Sequence, residues 1–138
     1  MKRKFVLLLS LLLPLVLCAT VYAAMTYSDP GTFVLNPGST WVCVTTQGQL
    51  LGNDKTTIAP DINVYTLAKT MSSRPNFRIV NSNGEERSDS VKTPVPLEQK
   101  TYEGVSTAEV GYGYYASLQP NWAQTGENKT IRIQFKVY

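Results

Sequence analysis

The sequence predicts an all-β fold, an antiparallel β-sandwich of the Ig-like or jelly-roll-like Greek-key kind, with room for one short helix around 61–71. Three observations predict it. Apolar residues recur at every second position in short runs. Gly, Pro, Asn and Asp punctuate those runs at short intervals. The closing stretch KTIRIQFKVY sets Ile131, Ile133, Phe135 and Val137 on one face, with Arg132, Gln134 and Lys136 on the other. A strand with one dry and one wet face belongs to an antiparallel sheet packed on a core.

The first element is a leader. Lys2, Arg3 and Lys4 precede a nearly unbroken apolar run from Phe5 to Leu17, and Val21-Tyr22-Ala23 supplies a cleavable junction. This three-part pattern reads as a secretory signal peptide over residues 1–23, cut between Ala23 and Ala24. The apolar run is short for a membrane span and contains Pro14. Residues 24–138 then form a single secreted β-sandwich domain. The whole chain carries thirteen Lys and Arg against ten Asp and Glu. Lys2, Arg3 and Lys4 account for the excess, so the mature chain is formally neutral. Its basic residues are scattered, which argues against a nucleic-acid partner. Membrane insertion of the mature chain is not expected either.

Within the mature chain, Thr32–Asn36 reads as a first strand, stopped by Asn36-Pro37-Gly38. Ser39–Thr46 reads as a second, with Trp41, Cys43 and Thr45 on one face. Cys18 leaves with the leader, so Cys43 stands alone and is expected in the core beside Trp41. Low cysteine use in an exported chain points to a bacterial source. Pro60–Ser72 is ambiguous. Val64, Leu67, Ala68 and Met71 fit helical spacing with Asp61 as N-cap, yet Ile62–Leu67 also fits an irregular strand.

Phe77–Asn81 is a further strand leading into Asn83-Gly84, a type I′ hairpin signal, with Glu85–Val91 returning at an edge. Pro94 and Pro96 mark Lys92–Leu97 as an extended connector. Val105–Val110 and Tyr112–Leu118 follow, bent at Gly111 and Gly113, and the last strand comes after the Asn128-Lys129-Thr130 sequon.

Several chemistries lack their parts. The chain has no histidine, which removes imidazole-based nucleophile activation and imidazole metal sites. No phosphate loop or dinucleotide fingerprint is present, so no cofactor is expected. Asp54, Asp61, Asp89, Glu98, Glu103 and Glu109 remain as carboxylates, mostly in turns or polar strands where solvated charge is the expectation. The chain is therefore read as non-enzymatic.

Its aromatic segment GYGYYASLQPNW points instead to binding. Alternation sends Tyr112 and Tyr114 to the core and leaves Tyr115 outside, with Trp122 in the loop that follows. Tyr115 and Trp122 are thus the candidate ligand-binding pair, flanked by the small Gly113 and Ser117. The function expected is a small secreted binding or interaction protein with an extracellular glycan or protein partner. A bacteriocin-like antagonist and a cell-envelope structural component are the alternatives.

Overall fold

The computed structural model describes residues 26–38, 40–121 and 128–138. Eight strands make two four-stranded antiparallel sheets packed face to face. The first contains β1 (Gly31–Leu35), β8 (Lys129–Val137), β3 (Ile62–Lys69) and β6 (Glu98–Tyr102), in that order. The second contains β2 (Gly52–Asp54), β7 (Gly113–Gln119), β4 (Asn76–Val80) and β5 (Val91–Lys92). The pairs β1·β8, β2·β7, β3·β6 and β4·β5 are those of one long hairpin, rolled so that successive pairs fall in alternate sheets. That is a jelly roll, the second of the two sandwich types the sequence allows, and its sheets do not close into a barrel.

The core follows from alternation. Phe33 and Leu35 on β1, Ile62, Val64 and Thr66 on β3, and Ile131, Ile133, Phe135 and Val137 on β8 face inward from the first sheet. Phe77 and Ile79 on β4, with Tyr114, Ala116 and Leu118 on β7, face them from the second. Phe77 and Phe135 meet across the sandwich, their ring centroids 5.6 Å apart and tilted by 56°. This geometry suits rings that avoid a flat stack. The last strand is thus placed as its sequence pattern requires.

Several local expectations are corrected. No helix forms over 61–71; the segment is β3. Burying Ile62, Val64 and Thr66 against both sheets outweighs the helical spacing of Val64, Leu67, Ala68 and Met71. A register shift between Thr66 and Ala68 disturbs the alternation that would have marked the strand. Ser39–Thr46 is not a continuous strand. Val42 exchanges two backbone hydrogen bonds with Leu118, at 2.7 and 2.9 Å, and β2 takes the rest of that edge of β7.

The Asn83-Gly84 turn is real but not type I′. Gly84 alone takes positive φ, at 79°, after a turn closed by its own N–H on the Asn81 carbonyl. The Asn81 Oδ1 accepts from the N–H of Asn83 and Glu85. The turn is therefore held from within by a side chain, with glycine filling the left-handed position of a three-residue loop. The return strand shrinks to a Val80–Glu86 bridge and the two-residue β5, and Val105–Val110 to a Ser88–Ser106 bridge. Conversely, β2 and β6 were not anticipated. Their sequences, GND and EQKTY, sit at sheet edges and carry little apolar alternation.

Candidate functional site

The outer face of the second sheet gathers the side chains suited to contact. Strand β7 turns Tyr114, Ala116 and Leu118 inward, so Gly113, Tyr115, Ser117 and Gln119 face out. On β4 the set of the same parity is Asn76, Arg78 and Val80, standing opposite Gln119, Ser117 and Tyr115 respectively, with Val80 and Ser117 covered from solvent. Because Val42 points into the core against Leu118, its neighbours Trp41 and Cys43 point out onto this face.

Trp41 is the organising group. Its ring lies over the Arg78 guanidinium, with Cζ 3.9 Å from the ring centroid. The Arg78 side chain is only 15% exposed, and its Nη1 pairs with Glu86 Oε1. Among the described residues no partner engages Arg78 Nε. A guanidinium under one indole face and a carboxylate at its tip hold the tryptophan in place at nearly neutral local charge. Around it, Asn76 Nδ2 donates to Gln119 Oε1 at 2.9 Å, and the Cys43 thiol to Ser117 Oγ at 3.3 Å. Cys43 is therefore not a core residue as expected; it is half-exposed, on the face opposite to Val42.

Tyr115, the candidate named from sequence, lies on this same face and is half-buried. Its ring rests on Gly52 of β2, where a Cβ would stand 3.1 Å from Tyr115 Cε1. Glycine is thus required for the ring to lie against the sheet. Continuing the Val42–Leu118 pairing puts Trp41 beside Gln119. Trp41 and Tyr115 are then about four residues, or ~13 Å, apart along β7. The small or polar Cys43, Ser117 and Gly52 lie between them. Trp122, its expected companion, lies outside the described residues. Trp41 fills the second aromatic position, although its pairing with Cys43 had suggested a core role.

Tyr112 and Tyr114 part company. Tyr114 is core at 3% exposure, its hydroxyl 2.7 Å from the Glu109 N–H, as alternation requires. Tyr112 is 61% exposed, contrary to expectation. It precedes β7 rather than belonging to it, and its carbonyl accepts from the N–H of the buried Lys55. The Lys55 amine reaches from the end of β2 to carbonyls of Ala59 and Tyr138. Gly111, at φ 90°, bends the chain here; its N–H donates to the Lys55 carbonyl and the Lys55 N–H to the Tyr112 carbonyl, and these two bonds hold the bend.

Tyr112 forms one wall of a cleft of about 270 Å³ across this end of the sheet. The turn Asn81–Asn83, Arg87, Glu109 and Gly113 complete the lining, with Tyr114 at its base.

The first sheet's outer face is aromatic too, but its rings are engaged internally. Tyr27 and Tyr65 stand 6.3 Å apart, and the Lys136 ammonium lies over both Tyr27 and Tyr138. The Tyr27 hydroxyl lies 2.5 Å from Asn63 Oδ1 and also contacts Gln99. Burial, with Tyr138 and Tyr65 adding to it, pushes the Tyr27 phenol above its usual pKa. This cluster straps residues 26–28 across the sheet.

Of the carboxylates named from sequence, Asp61 accepts the Gly104 N–H at 3.0 Å, and Asp54, Asp89, Glu98, Glu103 and Glu109 are exposed. Among the described residues no three of His, Cys, Asp and Glu gather as a metal site would need. Among the same residues no helix is long and apolar enough to cross a membrane. Set against protein-family models and curated proteins, the sequence matches none.

Proposed function

We propose that this chain is a small secreted, non-enzymatic binding protein whose partner is an extracellular glycan. The reading takes residues 1–23 as a cleaved leader and the jelly roll as the exported domain. Jelly rolls serve lectins and capsids alike, so the fold alone does not choose a function. The observation that carries the reading is the Trp41–Tyr115 face. Two rings lie on one sheet face, one preset by Arg78 and one seated on Gly52, with the amides of Asn76 and Gln119 beside them. Sugar rings present apolar C–H faces to aromatic rings and hydroxyls to amides, and a flat aromatic face with polar neighbours matches both.

The test is binding of purified residues 24–138 to insoluble and soluble linear polysaccharides: cellulose, chitin, xylan and mannan. Retention on at least one is expected. Tyr115→Ala, and separately Trp41→Ala, should weaken it at least tenfold, about 1.4 kcal/mol, with the far-UV spectrum unchanged. Trp41→Phe keeps a ring over Arg78 and should retain most of the affinity. Failure to bind any of the four, or variants that bind like the parent, would overturn the proposal.

A further inference from the structure

We infer that the cleft at the end of the second sheet takes the terminal sugar of that glycan, so that recognition is directed to chain ends rather than to chain interiors. The inference rests on the glycan reading above and adds a second, distinct contact to it.

Its first warrant is position. The Val80–Tyr115 pair is the last rung of the β4–β7 ladder, and the cleft begins directly past it. Gly113, which shares the outward parity of Tyr115, belongs to the cleft lining, two residues or ~7 Å from the tyrosine. A linear chain lying along β7 across Trp41 and Tyr115 is thereby led to the cleft. There the Asn81–Asn83 turn stands on one side and the Glu109–Tyr112 segment on the other.

The second warrant is chemistry. Within the cleft, no internal side-chain hydrogen bond among the described residues occupies the Tyr112 hydroxyl, the Glu109 carboxylate, the Asn83 amide or the Ser82 hydroxyl. Arg87, by contrast, is committed, its Nη2 pairing with Glu85 at 2.7 Å. The free groups are thus an acceptor-only carboxylate, an amide, two hydroxyls and one exposed aromatic ring. A chain terminus differs from an interior unit by its additional hydroxyls. This set offers partners for them together with a ring for the sugar face. Both walls are held by internal hydrogen bonds. Asn81 Oδ1 pins the turn, and the Lys55 backbone, accepting from the Gly111 N–H and donating to the Tyr112 carbonyl, holds the main chain at Tyr112.

The experiment is calorimetric titration of residues 24–138 with the polysaccharide from the panel that binds, and with its oligosaccharides of two to six units. End recognition predicts one domain bound per chain whatever the chain length. It also predicts at least tenfold weaker binding of the oligosaccharides by Tyr112→Ala, and a smaller loss by the near-isosteric Glu109→Gln. Both side chains are exposed, so unchanged thermal midpoints are expected and separate lost contacts from lost folding. Many domains per long chain, or both variants binding like the parent, would overturn the cleft's role and leave the Trp41–Tyr115 face standing. If no glycan binds at all, the reading and this inference fall together.

Discussion

Lys55 is an ammonium at a level of the sandwich where the sequence pattern asks for apolar side chains. It is 3% exposed, and its amine donates to the Ala59 carbonyl at 2.6 Å and to that of Tyr138. It thereby ties the end of β2, in one sheet, to the end of β8 in the other. Burial pushes its pKa below the ordinary 10.5, and the nearby Asp61 pulls part of the way back. The sign of the linkage follows. Between the lowered folded value and 10.5 the unfolded chain binds the proton more readily, so the Lys55 contribution to stability grows as pH rises through that window. Tyr27 and Tyr102, whose phenols are raised by burial, act oppositely. They release protons first in the unfolded chain and erode stability above about 10. Lys55→Met orphans two carbonyls and should cost about 1–3 kcal/mol. In urea unfolding from pH 7 to 10.5, the gap between parent and variant should widen as pH climbs towards 10.5; a gap that stays constant throughout, or narrows, would contradict the account. Beside it, Tyr112 defeated a period-two reading that placed Tyr114 correctly, because β7 begins only at Gly113, past the Gly111 bend. Alternation reports which way a side chain points within a strand, not where that strand begins.

At the scale of elements, legibility tracked burial. Strands β1, β4, β7 and β8 were readable because each buries a stripe of alternate apolar side chains. Strands β2 and β6 were not, since edge position leaves GND and EQKTY with no such stripe. The outward face was half legible. Tyr115 followed from the parity of β7, whereas Trp41 was hidden by an apolar neighbourhood whose true core member is Val42.

Strand β3 failed for a different reason. Its bulge after Thr66 resets the alternation, and the residues on either side then mimic helical spacing. The bulge also leaves a mark in the core. Thr66 is fully buried, and among the described residues its Oγ1 has no hydrogen-bond partner. A buried hydroxyl without a partner opposes folding, and valine has nearly its shape without the desolvation. Thr66→Val should therefore stabilise the domain by about 1 kcal/mol, raising the urea midpoint at unchanged slope. A fall in the midpoint would show that the hydroxyl is satisfied in solution.

The rolled hairpin gives the whole molecule two unlike outer faces. The first sheet is crossed by the Tyr27 strap, with Lys136 lying over the rings of Tyr27 and Tyr138. The second keeps Trp41 and Tyr115 half-exposed and leads to the Tyr112 cleft. Charge distinguishes a stacking face of this kind from an electrostatic one. The excess of cations in the full chain resides in Lys2, Arg3 and Lys4, so residues 24–138 carry equal numbers of each sign. On the face itself, Arg78 is already paired with Glu86. On the proposed reading, an uncharged glycan held by stacking and hydrogen bonds releases no counterions on binding. Glycan affinity measured by calorimetry should therefore change less than about twofold between 50 and 500 mM salt. A partner held through several phosphate contacts would instead lose affinity by orders of magnitude over a similar range. A steep salt dependence would mean that Lys and Arg side chains, rather than the two rings, do the binding.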